Sequence, residues 1–196
     1  DGNMTLQLEV IKVDTRKEQI ADITTIRLKD KVYPFYMNLC YRTYPDADII
    51  ETWTEITHEE KKAITLNRFA SAHLPIRKGD VWVSHLYGSW ANEAQLAQEP
   101  LRPGIKMIKN KDGIRNSHTA HAEVMISLDG KPKENTGSVI GAALCYSGNY
   151  KLFFDTDDSD YHHFFAGINE ENSAYTLKAK ESFRTPELAL TYSKDG

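Results

Sequence analysis

Residues 5–14 read TLQLEVIKVD, a run in which apolar and polar side chains alternate almost without interruption. Successive side chains of a β-strand point to opposite faces of its sheet, so this alternation predicts a strand with one buried face. The same period of two returns along most of the chain. It predicts further strands within residues 20–28, 32–41, 48–57, 61–72, 80–87, 105–109, 123–128, 138–146, 151–155, 161–168, 174–180 and 189–193.

Turn residues separate these predicted strands, and helical periodicity is almost absent. The pair Asp112-Gly113 is a tight-turn signal, and residues 129–132 (DGKP) end another strand. The best short helix candidate is residues 92–98, which Pro100 would end. This pattern predicts an all-β fold with few or no helices, a sandwich of antiparallel sheets. With no linker or internal repeat, we expect residues 1–196 to form a single domain.

The bulk composition narrows the function classes. The chain has 196 residues, of which 40% are hydrophobic and 27% charged, with a formal net charge of -4. A nucleic-acid partner would favour a basic surface, so this balance argues against one. Apolar runs stay well below the roughly 18 residues that span a membrane, so we expect no membrane partner.

The cysteines and histidines give weak signals for metal or cofactor chemistry. Cys40 and Cys145 lie in apolar runs, which predicts two buried free thiols. His118 and His121 are the histidines with suggestive spacing, but on a strand they would point to opposite faces. Phosphate loops and dinucleotide fingerprints are missing from the sequence. We therefore expect no metal and no cofactor.

Two short segments carry residues suited to sugar chemistry. Trp90 follows Gly88 at the end of a predicted strand, so it would leave the sheet through a tight bend. An exposed tryptophan there could stack on a sugar ring, whereas the plainer alternative is a ring that fills the core. Asp46 and Asp48 are two apart, which would place two carboxylates on one strand face for acid–base work. The alternative for this pair is a solvated turn.

Three strings in fixed order add a family resemblance. Residues 86–93 read LYGSWANE, residues 144–150 read LCYSGNY, and residues 183–187 read FRTPE, followed by LTYS at 190–193. With the opening TLQL of residues 5–8, they resemble the N-terminal β-sandwich domain of glycoside hydrolase family 36, the microbial α-galactosidases. The likeness runs over essentially the whole chain. It departs from the family at Asn92, where an arginine is usual, and at residues 121–123, where HAE replaces Asn-Pro-Phe; NSH at 116–118 keeps the family's preceding part.

The resemblance implies a β-supersandwich of two large antiparallel sheets, similar to galactose mutarotase, that precedes a catalytic (β/α)8 barrel. The catalytic carboxylates would lie in that barrel, so we expect no catalytic residue in this chain. We also expect the chain to lack the domain's first strands. The implied partners are galactosides, bound through the full-length enzyme, and further copies in a homo-oligomer. The residues implied to touch sugar are Trp90, Asn92 and Glu93, with Asp46 and Asp48 as further candidates.

Two other functions stay open at this point. The chain could be a stand-alone carbohydrate-binding module, which would more often end in a flexible linker. It could also be a mutarotase-like sugar epimerase, because that fold is a supersandwich too. An epimerase would need a glutamate base and paired histidines in one pocket, for which His118, His121 and Glu123 are the clustered candidates.

Overall fold

The computed structural model describes residues 5–77, 79–115 and 118–196, and these ranges fold almost entirely into β-strands. None of them forms a helix with the length and hydropathy of a membrane span. The strands are β1 (Leu8–Lys17), β2 (Asp22–Asp30), β3 (Phe35–Tyr44), β4 (Ile49–His58), β5 (Ile64–Leu66), β6 (Ala72–Ile76), β7 (Trp82–Ser89), β8 (Asn92–Pro100), β9 (Gly104–Lys109), β10 (Ala120–Ser127), β11 (Val139–Leu144), β12 (Tyr150–Thr156), β13 (His162–Ile168), β14 (Tyr175–Leu177), β15 (Ser182–Arg184) and β16 (Leu188–Ser193).

Ten strands form one antiparallel sheet, in the order β1-β2-β3-β4-β16-β11-β10-β7-β8, with β15 also paired to β4. The first four strands are successive hairpins. Strand β16 then lies between β4 and β11, with Thr191 beside Ile49 on one side and Gly141 on the other. The last strand of the chain therefore joins the N-terminal half of the sheet to the rest.

A smaller sheet, β6-β13-β12-β9, packs across the large one, and β5 and β14 form a two-stranded ribbon. The apolar layer between the two main sheets is the core of the molecule. Burying each large side chain there stabilises the fold by about 1.5–3 kcal/mol relative to leaving it exposed. The side chains in this layer with no exposed surface are Val83, Ile126, Tyr150, Leu152, Phe154 and Leu188.

The string FRTPE at residues 183–187 holds the chain where it passes from β15 to β16. Phe183 is buried and its ring lies 4.6 Å from that of Phe69. The buried Thr185 accepts a hydrogen bond from the Thr54 amide through Oγ1 (2.9 Å), and its own amide donates to the Thr54 carbonyl (3.0 Å). The pairing of β15 with β4 ends before Thr54, and the pairing of β16 with β4 begins after it. The Thr54–Thr185 hydrogen bonds therefore hold the chain to β4 between these two segments.

Most sequence predictions of the fold are confirmed. The structure is an all-β sandwich of antiparallel sheets without helices in the described ranges, with four strands in the second sheet. The predicted strand 61–72 is wrong over most of its length, because it contains only the three-residue β5 and the first residue of β6. Residues 1–4, Lys78, Asn116 and Ser117 lie outside the described residues, and the last two are the start of the NSH string.

The predicted helix at 92–98 is wrong, because these residues belong to β8. Ala and Gln favour helices locally, but pairing with β7 decides the outcome: Leu96 lies opposite Leu86, and Gln98 opposite Ser84. Cys40 is buried as predicted, whereas Cys145 is exposed, because it lies just beyond the end of β11. Both thiols are free.

A stack of rings crosses the outer face of the small sheet. The His73 ring lies 4.4 Å from Phe165, and Phe165 lies 4.6 Å from Phe153, with interplanar angles of 6° and 9°. His73 Nε2 also lies 3.0 Å from His163 Nδ1. Desolvation by these neighbours, and secondarily the charge of His163, lower the pKa of His73.

We expect Thr185→Val to lower the free energy of unfolding by about 1–3 kcal/mol, because the buried Thr54 amide would lose its acceptor. Urea denaturation followed by tryptophan fluorescence measures this loss. Thr176→Val, at an exposed position of β14, is the matched control and should change stability by less than about 0.5 kcal/mol. Equal stability of the two variants would contradict the role given to Thr185.

The lowered pKa of His73 predicts a loss of stability in acid. As the pH falls, His73 of the unfolded chain takes up a proton near pH 6.5, before His73 of the folded chain does. The stability gained by keeping the folded His73 neutral is therefore complete above pH 6.5 and is lost as the pH falls below that value. His73→Phe should therefore make the melting temperature fall less between pH 7 and pH 5. Met107→Leu, in the same face of the small sheet, removes no titratable group and should keep the parental slope. If the melting temperature of His73→Phe changed with pH as steeply as that of the parental chain, the role given to His73 in the acid sensitivity would be refuted.

Candidate functional site

The hairpin between β7 and β8 carries the most exposed tryptophan of the described chain. Ser89 pairs with Asn92, which leaves Trp90 and Ala91 as the two-residue tip. The Trp90 side chain is 82% exposed, so it does not fill the core. Ala91 has a φ of 61°, a left-handed conformation that costs an alanine about 1–2 kcal/mol. A strained backbone thus presents an unburied indole ring to solvent.

Gly88 lets the hairpin close. A Cβ atom at this position would lie 2.6 Å from the Asn92 carbonyl oxygen and 2.7 Å from the Glu93 Cα, both backbone atoms. The Gly88 amide also donates to the Thr119 carbonyl (3.2 Å), which ties the tip to the segment before β10. The Gly-x-Trp spacing of the LYGSWANE string therefore has a steric cause.

The carboxylate of Glu93 is held beneath the tip. Its Oε1 accepts a hydrogen bond from the Ala91 amide (2.9 Å) and lies 4.0 Å from His118 Nε2. The side chains of Glu93 and His118 keep 46% and 43% of their surface exposed. Trp90, Asn92 and Glu93 thus share one accessible hairpin end. His118 lies close to Glu93 because the segment before β10 runs beside the β7–β8 hairpin. The spacing of these residues in the sequence does not reveal this proximity.

Asp46 and Asp48 lie in the exposed turn between β3 and β4, not on a strand face, so the predicted placement on a strand was wrong. Asp48 has a φ of 52°, a left-handed turn conformation immediately before β4, and its carbonyl accepts a hydrogen bond from Thr191 Oγ1 (3.1 Å). The solvated turn is the correct alternative.

The two groups of candidate sugar residues lie at opposite ends of the large sheet. Strands β4 and β7 are four strand spacings apart, about 19 Å. Directly opposed residues form a row across these strands, from Ile49 in β4 to Ser84 in β7. Asp48 lies one residue beyond this row toward one end of the strands. Trp90 lies six residues beyond it, about 20 Å, toward the other end. One ligand of a few sugar rings therefore does not contact both. The row consists of Ile49, Thr191, Gly141, Met125 and Ser84.

Between these two ends, the large sheet carries an open apolar groove of about 430 Å³. Leu96 and Met125, which line it, are 59% and 48% exposed. Its floor includes the small residues Gly141, Ala143 and Ala189. An apolar surface of this kind suits contact with protein better than with a hydroxyl-rich sugar.

The histidines proposed for an epimerase pocket form two separate pairs. His121 Nδ1 lies 3.4 Å from Glu123 Oε1, while His118 faces Glu93.

A further charged cluster joins the large sheet to the small one: Glu99 accepts a hydrogen bond from Lys106 (2.5 Å) and lies 3.5 Å from His85 Nε2. The Lys106 hydrogen bond is the main cause of the lowered pKa of Glu99. Across the described chain, histidine, cysteine and acidic side chains form no group of three that could hold a metal ion.

Comparison with known proteins identifies the family. The model of the glycosyl hydrolase family 36 N-terminal domain matches residues 1–178. The chain belongs to this family. The resemblance inferred from its three short strings is thereby confirmed, and Gly88 and Thr185, each in one of those strings, have the steric and hydrogen-bonding roles described above.

Two curated relatives place the domain within much longer proteins. The chain is 31% identical over 182 residues to α-galactosidase Mel36A of Lactobacillus acidophilus, covering 93% of the chain and 25% of that protein. It is 29% identical to the bifunctional α-galactosidase/sucrose kinase AgaSK of Mediterraneibacter gnavus, covering all of the chain and 20% of that protein. The chain therefore spans a quarter or less of these two relatives.

A solved structure shows the same fold. The α-galactosidase AgaA of Geobacillus stearothermophilus superposes with a TM-score of 0.93 at 22% identity, over 100% of this chain and 29% of that one. Variants of that enzyme have been solved with stachyose and with raffinose.

Proposed function

We propose that this chain is the non-catalytic N-terminal domain of an α-galactosidase that hydrolyses terminal α-galactosyl groups of oligosaccharides. The family match over residues 1–178 carries the proposal. Support comes from the names of the relatives, which are α-galactosidases, and from the AgaA complexes with raffinose and stachyose. In such an enzyme the remaining three quarters of the polypeptide would supply the chemistry.

The distribution of acidic residues supports a non-catalytic role. Glycoside hydrolysis commonly uses two carboxylates that flank the scissile bond. Glu123 is the one acidic residue among those that line the groove in the described chain, and it is paired with His121. Asp46 and Asp48 lie in an open turn at the end of the sheet. The groove is better suited to pack against the rest of the enzyme than to bind substrate.

Within the intact enzyme, the hairpin tip would form part of the edge of the sugar-binding pocket. The Trp90 ring offers an apolar face for the C–H groups of a sugar, and Asn92 and Glu93 offer hydrogen bonds for its hydroxyls. The 82% exposure of Trp90 supports this role, because the described residues of the domain leave most of the ring's surface uncovered. We further propose that the enzyme is a homo-oligomer.

Hydrolysis of p-nitrophenyl-α-galactoside tests the non-catalytic assignment. We expect the 196-residue chain to release no nitrophenol, and the full-length product of the same gene to release it. Circular dichroism of the chain, with the spectrum of a folded β-protein, excludes misfolding as the cause of inactivity. Hydrolysis by the chain alone would overturn the proposal, and binding of raffinose by the chain alone would favour a carbohydrate-binding module.

Trp90→Ala in the full-length enzyme tests the sugar contact. We expect KM for raffinose to rise about three- to tenfold. This rise corresponds to the loss of one aromatic contact, which contributes about 0.6–1.4 kcal/mol. The kcat should stay near the parental value, because the reacting groups lie elsewhere. Tyr192→Ala removes another exposed ring, near the opposite end of the sheet, and should leave both constants unchanged. An unchanged KM in Trp90→Ala would exclude the tip from the binding site.

A further inference from the structure

The backbone beside Trp90 needs contacts from other residues to keep its shape. Ala91 (φ 61°) and Ala94 (φ 56°) both have left-handed conformations, which residues other than glycine rarely adopt. Such conformations persist where the surrounding structure fixes them. Because the Trp90 side chain is 82% exposed, packing of the ring supplies little of this support.

The Glu93 carboxylate connects the tip to a second segment of the chain. Its Oε1 atom accepts a hydrogen bond from the Ala91 amide (2.9 Å), and His118 Nε2 approaches the same atom to 4.0 Å. This second distance is too long for a direct hydrogen bond. The attraction between His118 and Glu93 therefore depends on charge, and it is present when the imidazole is protonated.

The segment that carries His118 leads directly into β10, which is anchored in the core. The strand begins with Ala120, which pairs with Tyr87, and it buries Val124 and Ile126 between the sheets. The support on the His118 side is thus firmer than the exposed hairpin end. Attraction between the two segments therefore draws the tip toward β10 rather than β10 toward the tip.

The other titratable groups on the packed elements have separate partners or lie apart from this pair. In β10, His121 and Glu123 contact each other (3.4 Å), and in β8 Glu99 contacts Lys106 and His85. The remaining titratable groups of β7 and of the residues just before His118 are Tyr87 and Arg115. Within the described ranges, Glu93 is the acidic side chain that forms an ion pair with His118.

We propose that protonated His118 is a positioning residue for galactoside binding, which fixes the Trp90 tip through Glu93. The inference rests on the sugar-binding role proposed for the tip and adds the group that controls its position. Histidine ordinarily changes charge between about pH 5 and 8. Protonation attracts Glu93 and holds the tip, whereas deprotonation removes the attraction. Affinity for galactosides should therefore fall as the pH rises through this range.

Fluorine NMR of the 196-residue chain labelled with 5-fluorotryptophan tests the connection without any substrate. The chain has three tryptophans, so Trp90→Phe assigns the resonance of Trp90. We expect this resonance to shift between about pH 5 and 8, and His118→Gln should abolish the shift. Glu93→Gln keeps an acceptor for the Ala91 amide but removes the charge, so it should abolish the shift as well. His121→Gln is the matched control and should retain it.

Two outcomes of this measurement would overturn the proposal, whatever the tip binds. One is a Trp90 resonance that does not change with pH. The other is a change that survives either His118→Gln or Glu93→Gln, because the connection would then not run through this pair.

The KM for raffinose of the full-length enzyme tests the consequence for binding. His118→Lys keeps a positive charge throughout the range. Between about pH 5.5 and 8, the parental KM should therefore rise about threefold more than that of this variant, the scale of an exposed ion pair. The ratio of the two kcat values should stay constant, because the reacting groups lie elsewhere. His121→Lys, on the same strand segment, should follow the parental pH dependence.

Failure of this inference can be distinguished from failure of the proposed sugar contact. If Trp90→Ala raises KM but the parental enzyme and His118→Lys share one pH dependence, the tip binds sugar and His118 does not position it. If Trp90→Ala leaves KM unchanged, the sugar contact itself is excluded, and the role of His118 in binding is excluded with it.

Discussion

The insertion of β16 between β4 and β11 is the constraint on which this architecture depends. Strands β1–β4 form a meander of local hairpins, and β7, β8, β10 and β11 form a second group. The β16 strand is hydrogen-bonded to both groups, and Leu188 at its start is fully buried in the core. The Thr54–Thr185 pair fixes the chain one step earlier, so that β16 enters the sheet in register. Without this strand the large sheet would be two sheets.

The same architecture separates the surfaces of the domain by function. The interior between the two main sheets is filled mainly by buried apolar side chains. Its described surface carries an exposed aromatic hairpin at one end and an apolar groove across the sheet face. Each of these presents contact surface rather than reactive groups.

The alternation of apolar and polar residues was sufficient to predict the sandwich, because one-sided burial is the physical cause of that pattern. The helix expected at residues 92–98 did not rest on this alternation. It was wrong because β8 keeps helix-forming side chains in solvent, and pairing with β7 enforces extension. The exposure of Trp90 could be predicted because Gly88, two residues before it, indicates a tight bend. The steric reason for this glycine involves only neighbouring residues of the same hairpin. The separation of Trp90 from Asp46 and Asp48 depends on the register of four non-local strand pairs, which no local pattern encodes. The Glu93–His118 approach is hidden for the same reason.

The position of β16 has a consequence for how the protein is made. Thr54 and Thr185 are 131 residues apart in the chain, so a ribosome must synthesise most of the domain before β4 can acquire its second neighbour, β16. Until then the nascent meander exposes the edge of β4 and its apolar face. Non-local pairing of this kind is slow, and exposed strand edges favour aggregation. The late arrival of β16 therefore lengthens the period in which the nascent domain is prone to aggregate.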